Sequence, residues 1–111
     1  MTEIIVRDYD FSIDNGYIYS TWTKFSYYSS LIPIEIPKEE FFKQKVEYIE
    51  RVLEKATTKV ACLKDDEEII LGYIVVLNGK LEWKCIKKDF RKSDIEALLL
   101  KAVKGKLHEG S

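Results

Sequence analysis

Histidine and cysteine are scarce in this chain, which contains one histidine and two cysteines in 111 residues. His108 stands close to the end of the chain, and Cys62 and Cys85 lie in separate apolar segments without CxxC spacing. The sequence therefore contains no metal-binding pattern. We expect both cysteines to be buried and reduced, as in a cytoplasmic protein.

Long hydrophobic runs and an excess of one charge are also absent. No apolar stretch approaches the roughly 20 residues that a membrane span needs, and the first ten residues lack the basic and apolar regions of a signal peptide. Eighteen Lys and Arg balance nineteen Asp and Glu, for a net charge of −1. We therefore expect neither a nucleic-acid nor a membrane partner. We expect one domain over residues 1–105 and a flexible tail over 106–111.

The hydrophobic pattern predicts seven elements in the order β-α-α-β-β-β-α. The first six are expected at residues 3–7, 14–28, 37–55, 58–64, 69–77 and 80–86. Asp14 is a candidate cap for the first helix, and Ser93 is a candidate cap for the last. Each helix has an apolar stripe expected to be buried. The stripes are Ile18, Trp22 and Phe25; Phe42, Val46, Ile49 and Leu53; and Ile95, Leu98, Leu99 and Ala102.

A hairpin is the best-defined local feature. Asn78-Gly79 separates two apolar runs, and a type I′ turn requires positive φ at both of its central residues. The run at 69–77 is apolar on both pleat faces, which indicates a central strand covered on both sides. Tyr19, Tyr27 and Tyr28 lie off the buried stripe of the first helix. They are available for a cleft or a subunit interface.

After the hairpin, a basic segment at 87–92 leads into the last helix. A strand that opens through a basic loop into a helix N-terminus can hold an anion, because free backbone N–H groups and the helix dipole point at it. Asp94 and Glu96 in the first helical turn oppose this, since they repel an anion. The alternative is a solvated loop before a helix.

Several of these segments resemble the N-terminal two thirds of the GCN5-related N-acetyltransferase (GNAT) superfamily. Arg7 with an aspartate after the first strand is similar to that family's opening, and Gly72 lies in an apolar-Gly-apolar strand typical of it. Residues 83–95 look like the family's fourth strand and acyl-CoA loop. Short forms encoded by bacteriophages carry Val/Ile-Lys-Lys-x-Phe-Arg, similar to Ile-Lys-Lys-Asp-Phe-Arg at 86–91. The resemblance implies a truncated GNAT-like α/β fold, with a mixed, mostly antiparallel sheet and helices on both faces.

The resemblance also implies an acyl-CoA site around the basic loop. The residues implied for it are Ile86, Lys87, Lys88, Arg91, Lys92, Ser93, Asp94 and Ile95. It further implies Glu82, on the fourth strand, as a candidate catalytic base. The alternative for Glu82 is an exposed strand glutamate, because the sequence shows no partner for it.

The chain departs from the family in the phosphate loop. Aligning Arg91 with the first position of Arg/Gln-x-x-Gly-x-Gly/Ala places Asp94 at the first glycine and Glu96 at the second small position. Glycine there allows backbone N–H groups to close on a pyrophosphate. The family's fifth strand, fourth helix and final hairpin also have no counterpart after the last helix.

These losses favour a non-catalytic binding or assembly protein, without a cofactor, over an enzyme. A phage-encoded accessory protein would be one such case. The alternative is a small N-acetyltransferase that uses acetyl-CoA. We expect a homodimer, through the fourth strand near Leu81, Trp83 and Cys85 or through the aromatic face of the first helix. A complex with a different protein is the other possibility for a partner.

Overall fold

A four-stranded sheet with the order β1-β2-β3-β4 forms the centre of the fold. The computed structural model describes residues 3–28, 37–90 and 94–106. The strands are β1 Ile4–Asp8, β2 Thr57–Leu63, β3 Asp66–Leu77 and β4 Lys80–Ile86. All three strand pairings are antiparallel. The described sheet is therefore antiparallel throughout, whereas a mixed, mostly antiparallel sheet was expected.

Three helices complete the predicted element order. They are α1 Phe11–Tyr28, α2 Lys38–Lys55 and α3 Ile95–Val103, and short 3₁₀ turns follow at Lys88–Phe90 and Lys104–Lys106. α1 and α2 pack on one face of the sheet, and α3 packs on the other. Helices on both faces explain why β3 is apolar on both of its pleat faces, because Tyr73 and Ile74 point to opposite sides and are both fully buried.

The β3–β4 hairpin forms as predicted. Asn78 and Gly79 have φ values of 53° and 80°, as a type I′ turn requires. β3 begins earlier than the sequence indicated. It starts at Asp66, after a two-residue turn at Lys64 and Asp65, because Leu63 and Asp66 pair across the turn. The acidic run at 65–68 is exposed, but most of it is strand rather than turn.

The start of α1 corrects a prediction. The helix begins at Phe11, so Asp14 lies inside the first turns rather than at the cap. Asp10 caps the helix instead, since its carboxylate accepts the N–H of Ser12 at 3.0 Å. Asp14 is fully buried and accepts two bonds of 2.8 Å from the guanidinium of Arg7, together with the N–H of Asp10. The aspartate expected as a cap therefore joins β1 to α1.

The helix stripes are partly as predicted. Ile18 and Trp22 are buried in α1, whereas Phe25 is 39% exposed. In α2, Ile49 is buried as predicted, and Val52 is buried although it lay outside the predicted stripe. Phe42, Val46 and Leu53 are only half-buried.

In α3, the buried residues are Ile95, Leu99 and Val103, and Leu98 and Ala102 are exposed. The buried face of α3 therefore consists of positions i, i+4 and i+8, and it includes Val103 in place of Leu98 and Ala102.

Cys62 and Cys85 are both buried, as predicted, and neither is in a disulfide. Burial raises the pKa of the Cys62 thiol, which keeps it in the protonated form. Both cysteines therefore act as small apolar residues of the sheet.

Candidate functional site: a cleft along strand β4

A cleft of about 350 Å³ runs along β4, which is one of the two edge strands of the described sheet. β4 supplies Trp83, Lys84, Cys85 and Ile86 to its wall, α1 supplies Phe25, and α3 supplies Glu96. The volume lies within the range of small-molecule sites. The sequence predicted a candidate site at the end of β4, and the cleft continues from there along the strand to the two flanking helices.

The charges within the cleft are paired with each other. The ammonium group of Lys84 donates to the carboxylate of Glu96, which lies in the first turn of α3. Both side chains are partly exposed, with 36% and 42% of their surface accessible. The sequence analysis identified Glu96 but missed Lys84, because nothing local connects residues twelve positions apart on a strand and a helix.

The predicted cofactor-binding residues occupy several different positions around this cleft. Ile86 lines it, and Ile95 is buried beneath α3. Lys87 and Lys88 are exposed, and Lys88 begins the 3₁₀ turn after β4. Asp94 is exposed at the N-cap of α3 and makes no side-chain cap bond. Arg91, Lys92 and Ser93 lie outside the described residues.

Glu82, the candidate base, has a partner that the sequence did not reveal. The hydroxyl of Tyr48, on α2, donates a hydrogen bond to its carboxylate. This bond raises the pKa of Tyr48 to about 12. β4 has a β-bulge at Glu82. Val75 of β3 pairs with Trp83, and the next residue, Val76, pairs with Leu81, so Glu82 has no partner residue in the register of β3. This bulge directs Glu82 toward α2 next to the cleft-lining Trp83.

Lys45 extends this group on the other side of the tyrosine. Its ammonium group lies 4.5 Å from the centroid of the Tyr48 ring. Burial lowers the pKa of Lys45, and the charge of Glu82 opposes that change. Lys45, Tyr48 and Glu82 therefore form a polar cluster on the α2 side of the sheet. None of the three lines the β4 cleft.

Two tryptophans connect that cluster to the cleft wall and fix β4 against α1. Trp22 and Trp83 stack with ring centroids 5.3 Å apart, and Tyr48 meets Trp22 edge-on at 6.3 Å. The indole N–H of Trp83 donates to the hydroxyl of Tyr73, which is also 2.7 Å from the hydroxyl of Thr21. The wall of the cleft is therefore held by stacking and by a buried hydrogen-bond network.

The tyrosines considered for a cleft or interface lie away from β4. Tyr27 and Tyr28 contact each other at the end of α1, with centroids 5.1 Å apart, and the ammonium group of Lys38 lies 5.0 Å from the Tyr28 ring. Lys38 donates to the Tyr28 hydroxyl at 2.7 Å, which lowers the pKa of Tyr28. Tyr19 lines a separate recess of about 170 Å³ with Tyr9, between α1 and α2.

The described residues contain neither a metal-binding cluster nor a membrane-spanning helix. Within 3–28, 37–90 and 94–106, no group of three or more His, Cys, Asp or Glu side chains is placed to hold a metal ion. None of the helices in these ranges combines the length and the apolar character needed to cross a bilayer.

Comparison with known proteins identifies relatives by structure alone. No family model matches the sequence, and no curated protein matches it. Three solved structures have TM-scores of 0.62, 0.61 and 0.59. The first is a fungal multi-domain GH3 β-N-acetylglucosaminidase with a GCN5-related glucosamine N-acetyltransferase region, which is 18% identical. The second is the apo form of YjaB from Escherichia coli, which is 13% identical. The third is a GNAT-family acetyltransferase from Staphylococcus aureus Mu50, which is 19% identical.

These matches establish the fold. They cover 92%, 95% and 94% of this chain. The chain spans 12% of the fungal protein, 67% of YjaB and 65% of the staphylococcal enzyme. At identities below 20%, such likeness carries over architecture and not activity. The chain therefore has the GNAT-like fold that the sequence resemblance implied.

Proposed function

We propose that this chain is a non-catalytic binding or assembly protein that uses the GNAT-like fold without turning over acyl-CoA. The observation that carries the proposal is the position of Glu96, a carboxylate that lines the β4 cleft at the start of α3 and is paired with Lys84. That the protein is of the short, phage-encoded type and that it is located in the cytoplasm are further predictions of this proposal.

The residues of the cleft do not fit an acyl-CoA pyrophosphate. A helix N-terminus attracts phosphate through its free N–H groups and its dipole. Here Asp94 and Glu96 place two negative charges at that end of α3. A carboxylate within about 5 Å of a phosphate costs on the order of 1–3 kcal/mol in partly wet surroundings. Lys84 offsets part of the charge of Glu96, but it is held in that ion pair and does not compensate Asp94.

A second copy of the chain is the partner we propose for β4. Two β4 strands would pair antiparallel through the backbone N–H and C=O groups that β4 presents at this edge of the described sheet. Leu81 on the same strand is 43% exposed. An edge strand with an exposed apolar side chain favours pairing with another strand.

Light scattering on the purified protein and two variants tests this proposal. We expect the wild type at high micromolar concentration to have about twice the 13.0 kDa chain mass. Leu81→Lys should give the monomer mass, because it adds a charge to the edge. Leu98→Lys is the matched control, since Leu98 is 38% exposed on α3 and away from β4. A monomeric wild type, or equal effects of the two variants, would remove the β4 dimer from the proposal.

A small N-acetyltransferase is the second candidate. The bond from Tyr48 favours it, because it fixes the carboxylate of Glu82 beside the cleft, where a carboxylate can accept a proton from an amine. A thiol-release assay with acetyl-CoA and a panel of amines separates the two candidates. Turnover by the wild type that Glu82→Gln abolishes, while leaving the fold intact by circular dichroism, would establish the enzyme and reject the non-catalytic proposal.

A further inference from the structure

The recess of about 170 Å³ between α1 and α2 combines aromatic rings with carboxylates, and neither candidate function uses it. The residues that line it are Tyr9, Phe11, Tyr19, Glu50, Leu53 and Glu54. No lysine or arginine of the described residues belongs to this wall. None of the six residues lines the β4 cleft, so the recess is a separate feature of the molecule.

The two glutamates give this recess a negative charge. Glu54 lies in the last turn of α2, where the helix dipole is negative, and Glu50 lies one turn before it. Like charges at this spacing repel each other. Neither carboxylate forms a hydrogen bond or an ion pair with another described residue. Two unpaired negative charges next to the negative end of a helix favour a cation.

Two phenol groups add hydrogen-bond acceptors to the same recess. Tyr9 and Tyr19 are half-buried, and burial raises the pKa of Tyr9 to about 12. Burial also raises the pKa of Tyr19, and the charges of Glu50 and Glu54 add to that rise because both carboxylates lie near this ring. Both phenols therefore stay neutral at physiological pH. Neither hydroxyl is hydrogen-bonded to another described residue, so both oxygens are available to accept a donor.

We propose that this recess binds a small primary alkylammonium ion. The ammonium group donates its N–H groups to the carboxylates and to a phenol oxygen, and the aromatic rings attract its charge. The alkyl chain lies against Leu53 and against Phe11, whose side chain is 60% exposed. The volume is below the roughly 300 Å³ at which drug-sized ligands begin to fit, so the ligand contains only a few heavy atoms.

Charge and hydrogen-bond donors both contribute to the selectivity of this site. A neutral alcohol of the same length lacks the charge that the glutamates attract. Tetramethylammonium carries the charge but has no N–H group, so it cannot donate to the carboxylates or the phenols. The expected order of affinity is n-butylammonium, then tetramethylammonium, then 1-butanol.

An NMR titration of the ¹⁵N-labelled protein with n-butylammonium chloride tests the site. We expect saturable shifts of backbone amides around the recess, with a dissociation constant on the order of 1–10 mM. The affinity for 1-butanol should be about tenfold lower or less. The absence of saturable shifts, shifts confined to other parts of the protein, or equal affinity for tetramethylammonium would overturn the proposal.

Two double variants with the same change in net charge separate the recess from general surface charge. Glu50→Gln combined with Glu54→Gln should weaken n-butylammonium binding about tenfold or more, because both charges of the recess are lost. The melting temperature should not fall, since the repulsion between the two carboxylates is also lost. Glu39→Gln combined with Glu47→Gln is the matched control on α2.

Glu39 and Glu47 are exposed and do not line the recess. Their substitution should leave the affinity within about twofold of the wild type, because exposed charges at a distance are screened by salt. If both double variants weaken binding equally, the ammonium ion responds only to the net charge of the surface and the proposal is wrong.

Discussion

Trp22 of α1 and Trp83 of β4 stack with their ring planes 5° from parallel and their centroids 5.3 Å apart. The two residues are 61 positions apart in the sequence, yet they form the contact that holds the cleft strand against the first helix. Trp22 is 2% exposed, whereas Trp83 is only half-buried and also lines the cleft. Stability and the shape of the cleft therefore depend on the same pair.

Removing this stack is expected to destabilise the fold. Trp22→Ala should lower the free energy of unfolding by about 3–5 kcal/mol, as for other buried tryptophans. Trp83→Ala should cost less, because part of that ring is already in water. A double-mutant cycle by urea unfolding should give a coupling energy of about 0.5–1.5 kcal/mol. A coupling energy of zero would show that the two rings do not stabilise each other.

Gly72 controls how closely β3 approaches β4. A Cβ atom at this position would lie 3.0 Å from the carbonyl oxygen of Cys85 and 3.0 Å from Cδ1 of Ile86. Because both contacts are in the cleft strand, Gly72→Ala should cost about 1–3 kcal/mol of stability. Gly16→Ala is the control. Nothing lies within 4 Å of its added Cβ in α1, so it should stabilise the protein by about 0.5–1 kcal/mol in the same urea experiment.

The Arg7–Asp14 ion pair joins β1 to α1, and the guanidinium of Arg7 compensates the buried carboxylate of Asp14. The hydrogen bond with Asp14 raises the pKa of Arg7, so the guanidinium stays charged. Asp14→Ala should cost about 3 kcal/mol, because it removes the buried partner of the guanidinium and leaves Arg7 paired only with Glu67, which is half exposed. Arg7→Met combined with Asp14→Leu should cost less than Asp14→Ala alone, since an apolar pair leaves no unpaired charge. Thermal unfolding of the three proteins measures this. A larger loss in the double variant would contradict the account.

The sequence contained enough information for the architecture. The apolar run at 69–77, the Asn78-Gly79 turn and the helix stripes depend on neighbouring residues, so the element order and the burial of Tyr73 and Ile74 were predictable. Asp14 was misassigned because caps and buried ion-pair partners use the same residue type. Only the distant Arg7, on another element, distinguishes the two roles.

The candidate site was less predictable, because its contacts also join residues that are distant in the sequence. The position of Glu82 on β4 was read from the resemblance, but its partner Tyr48 is 34 residues away on α2. Lys84 was not singled out, because its role depends on Glu96 across the cleft. Both contacts depend on how helices lie against the sheet, which local periodicity does not determine.

The Tyr48–Glu82 bond predicts a pH dependence in the alkaline range. The pKa of Tyr48 is raised from 10.0 to about 12 in the folded protein, so the neutral phenol stabilises the fold. That contribution is complete below pH 10 and is lost as the pH rises through about 12. Urea unfolding from pH 10 to 12 should therefore show falling stability, with a shallower decline in Tyr48→Phe.

Tyr28→Phe is the control for this pH dependence. The pKa of Tyr28 is lowered by its bond from Lys38, which gives the opposite sign. Removing that hydroxyl should leave the decline unchanged or make it steeper. If Tyr48→Phe and wild type lose stability in parallel, the Tyr48–Glu82 bond does not contribute as described.

Calorimetric titration of acetyl-CoA into the wild-type protein tests the central claim, that the β4 cleft does not accept acyl-CoA. We predict weak binding or none, because Asp94 and Glu96 oppose a pyrophosphate at the start of α3. Asp94→Gly combined with Glu96→Gly should improve the affinity about tenfold or more, since it removes two like charges and leaves the ammonium group of Lys84 available to a phosphate. A wild-type dissociation constant in the low micromolar range or below would contradict the claim and make the acetyltransferase the preferred function.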